Sequence, residues 1–217
     1  MNFSGFTGFI NETCEWLMRL AFLNILWVLF TVLGFGIFGW APATAAMFSV
    51  LRNRFFAEEE FSTIHMFRTV YKEEFVKSNV IGLFMVGGSW SLYYSLSTLI
   101  YLQSSVMILF GTIFFIFAIL FFIVCLFIFP VFSHYQTTFR NYFRYSLMLG
   151  LSHLHICLLM VVGLGITYIL FTSFPGLMLF YGISLPVTCV VVLSLKVFIK
   201  LEEKEQTFSL SGENLEY

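Results

Sequence analysis

The sequence predicts an all-α integral membrane protein: a bundle of about six transmembrane helices, or five if the second is re-entrant, with two cytoplasmic amphipathic helices. Of the 217 residues, 59% are hydrophobic and only 11% are charged, whereas a soluble domain carries about 25% charged residues. Several apolar runs approach the ~20 residues that cross a bilayer. The alternation typical of barrel strands is absent, so these runs are predicted to be helices, which satisfy their own backbone hydrogen bonds in lipid.

The apolar runs define six predicted spans and a single transmembrane domain, residues 1–201. The spans are 16–35, 41–56, 80–101, 106–131, 147–171 and 176–199. The second is the weakest, because its uninterrupted apolar part is shorter than a bilayer requires. It crosses only if Arg52 and Arg54 extend toward the headgroups. The polar, acidic segment 202–217 is predicted to be a disordered cytoplasmic tail.

The distribution of basic residues predicts the orientation of the chain. Lysines and arginines gather in three segments: 52–78, 132–146 and 196–204. The linkers at 102–105 and 172–175 carry no charge. Because Lys and Arg favour the cytoplasmic side, the C-terminus is predicted to be cytoplasmic. The N-terminus is cytoplasmic as well if the second run crosses, and outside if it does not. Arg19 favours the first alternative, with six spans.

Two amphipathic helices are predicted at the cytoplasmic interface, at 61–78 and 134–146. They share a similar run, FRTVYK at 67–72 and FRNYFR at 139–144. An internal duplication would explain this likeness. However, a helix that precedes a span on the basic side commonly shows such a pattern, and we favour this simpler explanation. The candidate docking residues for a partner are Phe67, Arg68, Tyr71, Phe139, Arg140 and Phe143.

The stretch GWAPATAAMF, residues 39–48, interrupts the apolar N-terminal region. Glycines precede it, and Pro42 fits the first turn of a helix, where its missing N–H costs nothing. The small residues Ala43 to Ala46 allow close approach of another helix. The stretch therefore predicts a tight turn followed by a closely packed short helix. The N-terminal end of such a helix can hold an anion or polar ligand, but a plain turn explains the same residues with less.

The sequence predicts no catalytic, metal or cofactor site. The chain contains no aspartate, and no glutamate lies between Glu74 and Glu202, whereas ion-coupled transporters use buried carboxylates or histidines. The four cysteines are scattered singly, and His153 and His155 are spaced too closely to share one helix face. With a net charge of −1, no nucleic-acid partner is expected. Polar Asn24, inside the first span, is expected to hydrogen-bond to another helix.

The run RLAFLNILW at 19–27, followed by GWAPATAAMF at 39–48, resembles the YesL family (DUF624) of bacterial membrane proteins. The family shows an Asn-x-Leu-Trp signature and then a Gly-Pro-Ala-Thr-Ala-Ala signature. This chain departs from it by placing Trp40-Ala41 between Gly39 and Pro42, which lengthens the link. The residues that carry the resemblance are Arg19, Asn24, Trp27, Gly39, Pro42, Ala43, Thr44 and Ala45.

The resemblance implies a location and a role. Family members are often encoded beside carbohydrate importers of the ATP-binding-cassette (ABC) type, which implies a bacterial cell-membrane protein that assists oligosaccharide import. The expected partners are the lipid bilayer and the permease subunits of such an importer. An uncoupled channel or carrier for a small solute is the alternative, motivated by the turn at Pro42 and by the hydroxyl-rich third span. That span carries a stripe of Trp90, Tyr94, Ser97 and Tyr101, which could bind a sugar, but an interfacial aromatic belt or a helix contact explains it with less. A membrane-bound enzyme is the least favoured.

Overall fold

A computed structural model describes residues 6–56, 62–101 and 105–213, with side chains for 8–55, 62–98 and 111–202. Within these ranges the chain is helical and contains no strand, as the sequence predicts. The helices are α1 Phe6–Leu33, α2 Trp40–Phe56, α3 Thr63–Glu73, α4 Phe75–Tyr101, α5 Ser105–His134, α6 Phe139–Ser152, α7 Leu154–Ser173, α8 Pro175–Tyr181 and α9 Ser184–Glu213.

Four of the described segments are long and apolar enough to cross a membrane. They are Gly8–Leu33, Gly111–His134, Leu154–Ser173 and Ser184–Glu202. The 17-residue α2 is only about 25 Å long, which is less than the hydrocarbon thickness. The 27-residue α4 is long enough, but glycine, serine and tyrosine make its middle less apolar. The molecule is therefore a multi-spanning helical membrane protein. These two criteria give four candidate spans among the described residues, and the predicted count of about six, or five, is not confirmed by them.

The fifth and sixth predicted spans differ from the observed helices. The fifth was expected to begin at Leu147, yet this residue lies in α6, and His153 (φ −128°, ψ 50°) separates α6 from α7. The sixth, expected at 176–199, is interrupted between Tyr181 and Ser184. Polar residues explain the first difference, because the run Ser-His-Leu-His at 152–155 breaks the apolar pattern.

The predicted disordered tail, residues 202–217, is largely helical where the structure describes it. Helix α9 continues to Glu213, through most of the segment that composition predicts to be disordered. Residues 214–217 of that tail, residues 102–104 of the uncharged linker and the first residue of the predicted helix at 61–78 lie outside the described residues.

The chain divides into two compact units, where the sequence predicts one domain. The first comprises Met1–Asn79 and Val162–Cys189, and the second comprises Val80–Val161 and Val190–Tyr217. Each unit thus combines segments distant in sequence.

An antiparallel hairpin of α1 and α2 is the centre of the first unit. The turn 34–39 joins the helices, and at their other ends the rings of Trp16 and Phe55 stack with centroids 5.0 Å apart. Helix α2 is buried on almost every side, since its small residues allow close packing. The buried side chains of α2 are Ala41, Pro42, Ala43, Ala45, Ala46, Met47, Phe48, Ser49, Val50 and Leu51.

Helix α3 runs along this hairpin, antiparallel to α2. Near its start, Met66 Sδ lies 3.6 Å from Asn53 Nδ2, beside the end of α2. Near its end, the Tyr71 hydroxyl donates to the carbonyl oxygen of Phe30 at 3.0 Å. The Phe67 ring packs on the Phe30 ring with centroids 5.1 Å apart. Helix α3 therefore ends beside the turn between α1 and α2.

This packing changes the expected position of the basic residues. The sequence places the turn 34–39 and the basic segment of α3 at opposite membrane faces. In the structure, Arg68 and Lys72 line the same groove as Phe35 and Phe38 of the turn. The turn and these two cations consequently lie at the same end of the hairpin.

The second unit is organised by α5 and α6. The C-terminal half of α5 is buried from Leu126 to Phe132. On α6, a Cβ atom added at Gly150 would collide with the Ile123 side chain, so a glycine is needed for this close approach. The Phe84 ring of α4 contacts the Phe143 ring of α6 with centroids 4.4 Å apart. A packed aromatic and aliphatic core results.

The C-terminal part of α9 also belongs to the second unit. The His134 ring stacks on the Phe198 ring, with centroids 4.2 Å apart and an angle of 4° between the planes. His134 Nε2 lies 3.2 Å from Glu202 Oε1. The end of α5 is thereby fixed to α9.

The same order of elements occurs twice along the chain. A longer helix, α2 or α5, is followed by a short helix, α3 or α6. One non-helical residue, Glu74 or His153, then precedes a long helix. In both cases the N–H of this residue still donates to a helical carbonyl four residues earlier. The likeness of the two short segments thus extends to their surroundings.

Candidate functional site

The residues that carry the family resemblance gather on the α1–α2 hairpin in the first unit. Trp27 Nε1 donates to Thr44 Oγ1 at 3.0 Å, and Thr44 Oγ1 donates to the Trp40 carbonyl oxygen at 2.7 Å. Both bonds are partly buried, so water competes weakly for them. The tryptophan of one motif thereby joins the threonine of the other.

This bond can be tested by a double-mutant cycle. We expect Trp27→Phe and Thr44→Val each to lower the free energy of unfolding by about 1 kcal/mol. Their effects should be non-additive by about 0.6 kcal/mol, the average for side-chain hydrogen bonds between membrane helices. Equilibrium unfolding in mixed micelles measures both quantities. Additive effects would show that the two side chains do not interact.

The turn between the motifs depends on glycine at two positions. A Cβ atom added at Gly39 would lie 2.7 Å from Thr31 Cα and would also collide with the Thr31 carbonyl oxygen. One added at Gly34 would lie 2.6 Å from the Tyr71 hydroxyl oxygen. The turn itself has positive φ at Phe35 (58°) and Gly36 (73°). The α1 backbone thus touches the start of α2 directly.

Asn24 holds a break in another helix. Its Nδ2 donates to the Leu179 carbonyl oxygen at 2.9 Å, and its Oδ1 accepts from the Ile183 N–H at 3.0 Å. In a continuous helix, the Ile183 N–H would donate to that same Leu179 carbonyl. The carboxamide of Asn24 replaces one hydrogen bond of the helical ladder. The expected bond from Asn24 to another helix is therefore observed, and it separates α8 from α9.

Sequence reasoning missed this discontinuous helix, although a signal for it exists. Gly182 is followed four residues later by Pro186, and glycine after one helix with proline in the first turn of the next is typical of such a break. The apolar run on both sides concealed the signal. Ser184, the first residue of α9, is fully buried, and its hydroxyl has no hydrogen-bond partner within the described part of the chain.

Arg19 lies apart from the buried motif residues. Its Nη2 lies 3.3 Å from Glu15 Oε2, and both side chains are nearly half exposed. The two residues are four apart on α1 and share one face of the helix. Such an exposed pair contributes under about 1 kcal/mol to stability.

The candidate docking residues on α3 divide into buried and exposed side chains. Phe67 is fully buried, and Tyr71 is 9% exposed. Burial raises the pKa of the Tyr71 hydroxyl, so it remains protonated and donates to Phe30. A partner could contact Phe67 only by displacing the helix, and could reach Tyr71 only at the edge that lines a groove. Arg68 is exposed and is the one of these three that a partner can reach.

On α6, the three candidate docking residues remain accessible to different extents. Phe139 and Arg140 are exposed, and Phe143 is intermediate. The Phe143 ring is held between Phe84 and Phe139, with centroids 4.4 Å and 5.0 Å away. Phe139 and Arg140 are therefore the best-placed residues for an external contact from this helix.

Among the described residues, no group of three or more His, Cys, Asp or Glu side chains could hold a metal ion. The hairpin and the broken helix are instead built from hydrogen bonds of uncharged groups and from close helix packing. This arrangement, with four helices able to cross a bilayer, defines a multi-spanning membrane protein.

Comparison with known proteins identifies the family. The chain belongs to the family described as "Protein of unknown function, DUF624", whose model matches residues 20–96. This confirms the resemblance to the YesL family, and the matched residues include Asn24, Trp27, Thr44 and Tyr71.

Three relatives from Bacillus subtilis (strain 168) match nearly the whole chain. Uncharacterized protein YteU is 32% identical over 203 residues, covering 94% of this chain and 91% of the relative. Uncharacterized protein YesV is 34% identical over 201 residues, covering 90% and 94%. Uncharacterized protein YesL is 30% identical over 197 residues, covering 91% and 93%. No solved structure matches the chain.

Proposed function

We propose that this protein is an accessory component of the bacterial cell membrane that works with an ABC-type carbohydrate importer. The observation that carries the proposal is membership of a family whose genes often lie beside those of such importers. The permease subunits of the importer are the proposed partners. The protein is proposed to act by binding, without catalysis of its own.

The N-terminal part of α6 is the proposed docking surface in the second unit. Phe139 and Arg140 are both exposed, and aromatic and arginine side chains are enriched in protein interfaces. Neither is part of the buried contact between α5 and α6. Substitution here should therefore change association without unfolding the protein.

Co-purification tests this docking surface. With the wild-type chain, the permease subunits should be recovered in near-stoichiometric amounts from mild detergent. We expect Phe139→Ala with Arg140→Ala to reduce recovery about tenfold or more, as the loss of two central interface residues does. Met148→Ala with Leu151→Ala, which removes two exposed side chains of the same helix, is the matched control and should leave recovery unchanged.

Two results would count against the proposal. One is recovery of the wild-type protein alone. The other is unchanged oligosaccharide uptake and importer abundance in a strain that lacks the protein.

A topology with the N-terminus outside and the C-terminus in the cytoplasm fits the packing of α3 better than the six-span alternative. Arg68 and Lys72 lie beside the turn 34–39, and basic residues favour the cytoplasmic face, although Arg19 and Arg54 lie together at the other end of the hairpin. If that end of the hairpin is cytoplasmic, the start of α1 is outside. Helix α2 runs back toward the start of α1, and α3 then brings the chain again to the end of the hairpin that holds the turn 34–39. The crossings are α1, α4, α5, α7 and α9, so the count is five.

A native cysteine provides the test of this topology. Cys14 is exposed in the first half of α1, whereas Cys157 is buried and the other two cysteines are only partly exposed. We expect a membrane-impermeant maleimide to label the protein in intact protoplasts, and Cys14→Ser to abolish labelling. Labelling that requires permeabilisation would place the N-terminus in the cytoplasm and support six spans.

A groove in the second unit supports the alternative function, an uncoupled channel or carrier. It has a volume of about 670 Å³ and lies between α4 and α5. Ser91, Tyr94, Ser95 and Thr98 give it hydroxyl groups, beside the rings of α5. Aromatic and hydroxyl groups together suit a sugar. Flux of candidate sugars into proteoliposomes that contain only this protein, above that of empty liposomes, would favour this alternative.

A further inference from the structure

A groove in the first unit has one apolar wall and two cations. It has a volume of about 630 Å³ and lies between the end of α1, the following turn and the end of α3. Its apolar lining residues are Phe30, Leu33, Phe35, Phe38, Tyr71 and Phe75. Gly34, Arg68 and Lys72 complete the lining. The groove combines a surface for hydrocarbon with a site for negative charge.

The two cations are available to a ligand. Arg68 and Lys72 are both exposed, and neither forms an ion pair or hydrogen bond within the part of the chain that the structure describes. The nearby Glu74 is engaged elsewhere, since its Oε2 lies 3.1 Å from Lys77 Nζ. Glu73 does not line the groove. The charge of the groove is therefore positive and is not neutralised from within.

Phe35 provides a second, independent observation. Its φ of 58° is costly for a bulky residue, by about 1 kcal/mol or more. Its side chain is nevertheless 90% exposed, so packing within the protein does not offset that cost. Phe38 beside it is 60% exposed. An apolar contact outside the protein, such as a lipid acyl chain, accounts for a strained turn that presents two rings.

We propose that this groove binds an anionic phospholipid, with the phosphate at Arg68 and Lys72 and an acyl chain against the aromatic wall. Basic pockets at the membrane interface recognise anionic headgroups. The rings of the turn lie where the chain of such a lipid would run. The occupant is a lipid and not a soluble phosphate, because six of the eight side chains that line the groove are apolar.

Native mass spectrometry of the purified full-length protein tests this assignment. Phosphatidylglycerol and phosphatidylcholine are added in equal amounts. The wild type is expected to retain phosphatidylglycerol preferentially. Arg68→Ala with Lys72→Ala should reduce the retained fraction roughly fivefold for each cation removed. Arg144→Ala with Lys200→Ala removes the same charge from exposed positions in the second unit and should leave retention unchanged.

A variant of Phe35 separates binding from folding. Phe35→Gly relieves the positive-φ strain, so we expect its midpoint of thermal unfolding to rise. At the same time its retention of phosphatidylglycerol should fall. Equal retention by the wild type and the Arg68/Lys72 variant would overturn the proposal, as would an equal loss in the Arg144/Lys200 control. Displacement of the lipid by millimolar inorganic phosphate would show that the groove binds a soluble anion instead.

Discussion

Replacing Asn24 with alanine is expected to produce one of the two largest losses of stability of any single substitution discussed for this protein. The change removes both bonds that hold the break between α8 and α9. Each buried polar group left without a partner costs about 1–3 kcal/mol. Because the Leu179 carbonyl and the Ile183 N–H can partly re-pair with each other, we expect a loss of about 2 kcal/mol in the free energy of unfolding.

Unfolding in mixed micelles measures this loss, with Ile25→Ala as the matched control. Ile25 is the next residue of α1 and is 54% exposed, so its truncation removes no internal contact of comparable value. If the two variants unfold at the same denaturant concentration, the carboxamide does not stabilise the broken helix.

Replacing Gly39 with alanine is the second substitution for which we expect a large effect. The added methyl group would meet the backbone of Thr31, which cannot rotate away as a side chain can. Overpacking of this kind costs about 3 kcal/mol, at the upper end of the usual range. We expect little monodisperse protein by fluorescence-detected size-exclusion chromatography of a fusion with a fluorescent protein.

The control for this substitution is Gly87→Ala. A Cβ atom at Gly87 of α4 meets nothing within 4 Å, and alanine is the better helix former. This variant should therefore elute as the wild type does. Normal elution of Gly39→Ala would mean that the two helices can separate at the turn without cost.

Composition and motif were enough to predict the helical class, the turn before α2 and a hydrogen bond from Asn24 to another helix. These predictions rest on local physics: apolar length, proline in the first helical turn, and the need of a buried amide for a partner. The family signature could also be recognised from the sequence, because its residues lie in two short runs, 19–27 and 39–48. What joins those runs, the bond from Trp27 to Thr44, could not be read from spacing, because it depends on how the hairpin closes.

The path of α3 could not be predicted from its sequence. A half-apolar helix rich in arginine and lysine is expected at the membrane surface, yet Phe67 and Tyr71 are packed against Phe30. Periodicity defines which face of a helix is apolar. It does not define whether lipid or protein covers that face, and here tertiary packing decides. The distribution of charges likewise did not predict that Arg68 and Lys72 lie beside the turn 34–39, because that position depends on how α3 packs on the hairpin.

The contact of Asn24 with the broken helix also constrains how the protein is made. Asn24 and its two partners are separated by 155 and 159 residues, so these bonds form only after nearly the whole chain has left the ribosome. Until then, the Asn24 carboxamide lacks both of its final partners, the Leu179 carbonyl oxygen and the Ile183 N–H. Because contacts so distant in sequence close late, the break between α8 and α9 completes the environment of Asn24 in α1. A truncated chain that ends before residue 179 should therefore be a substrate for membrane quality-control proteases.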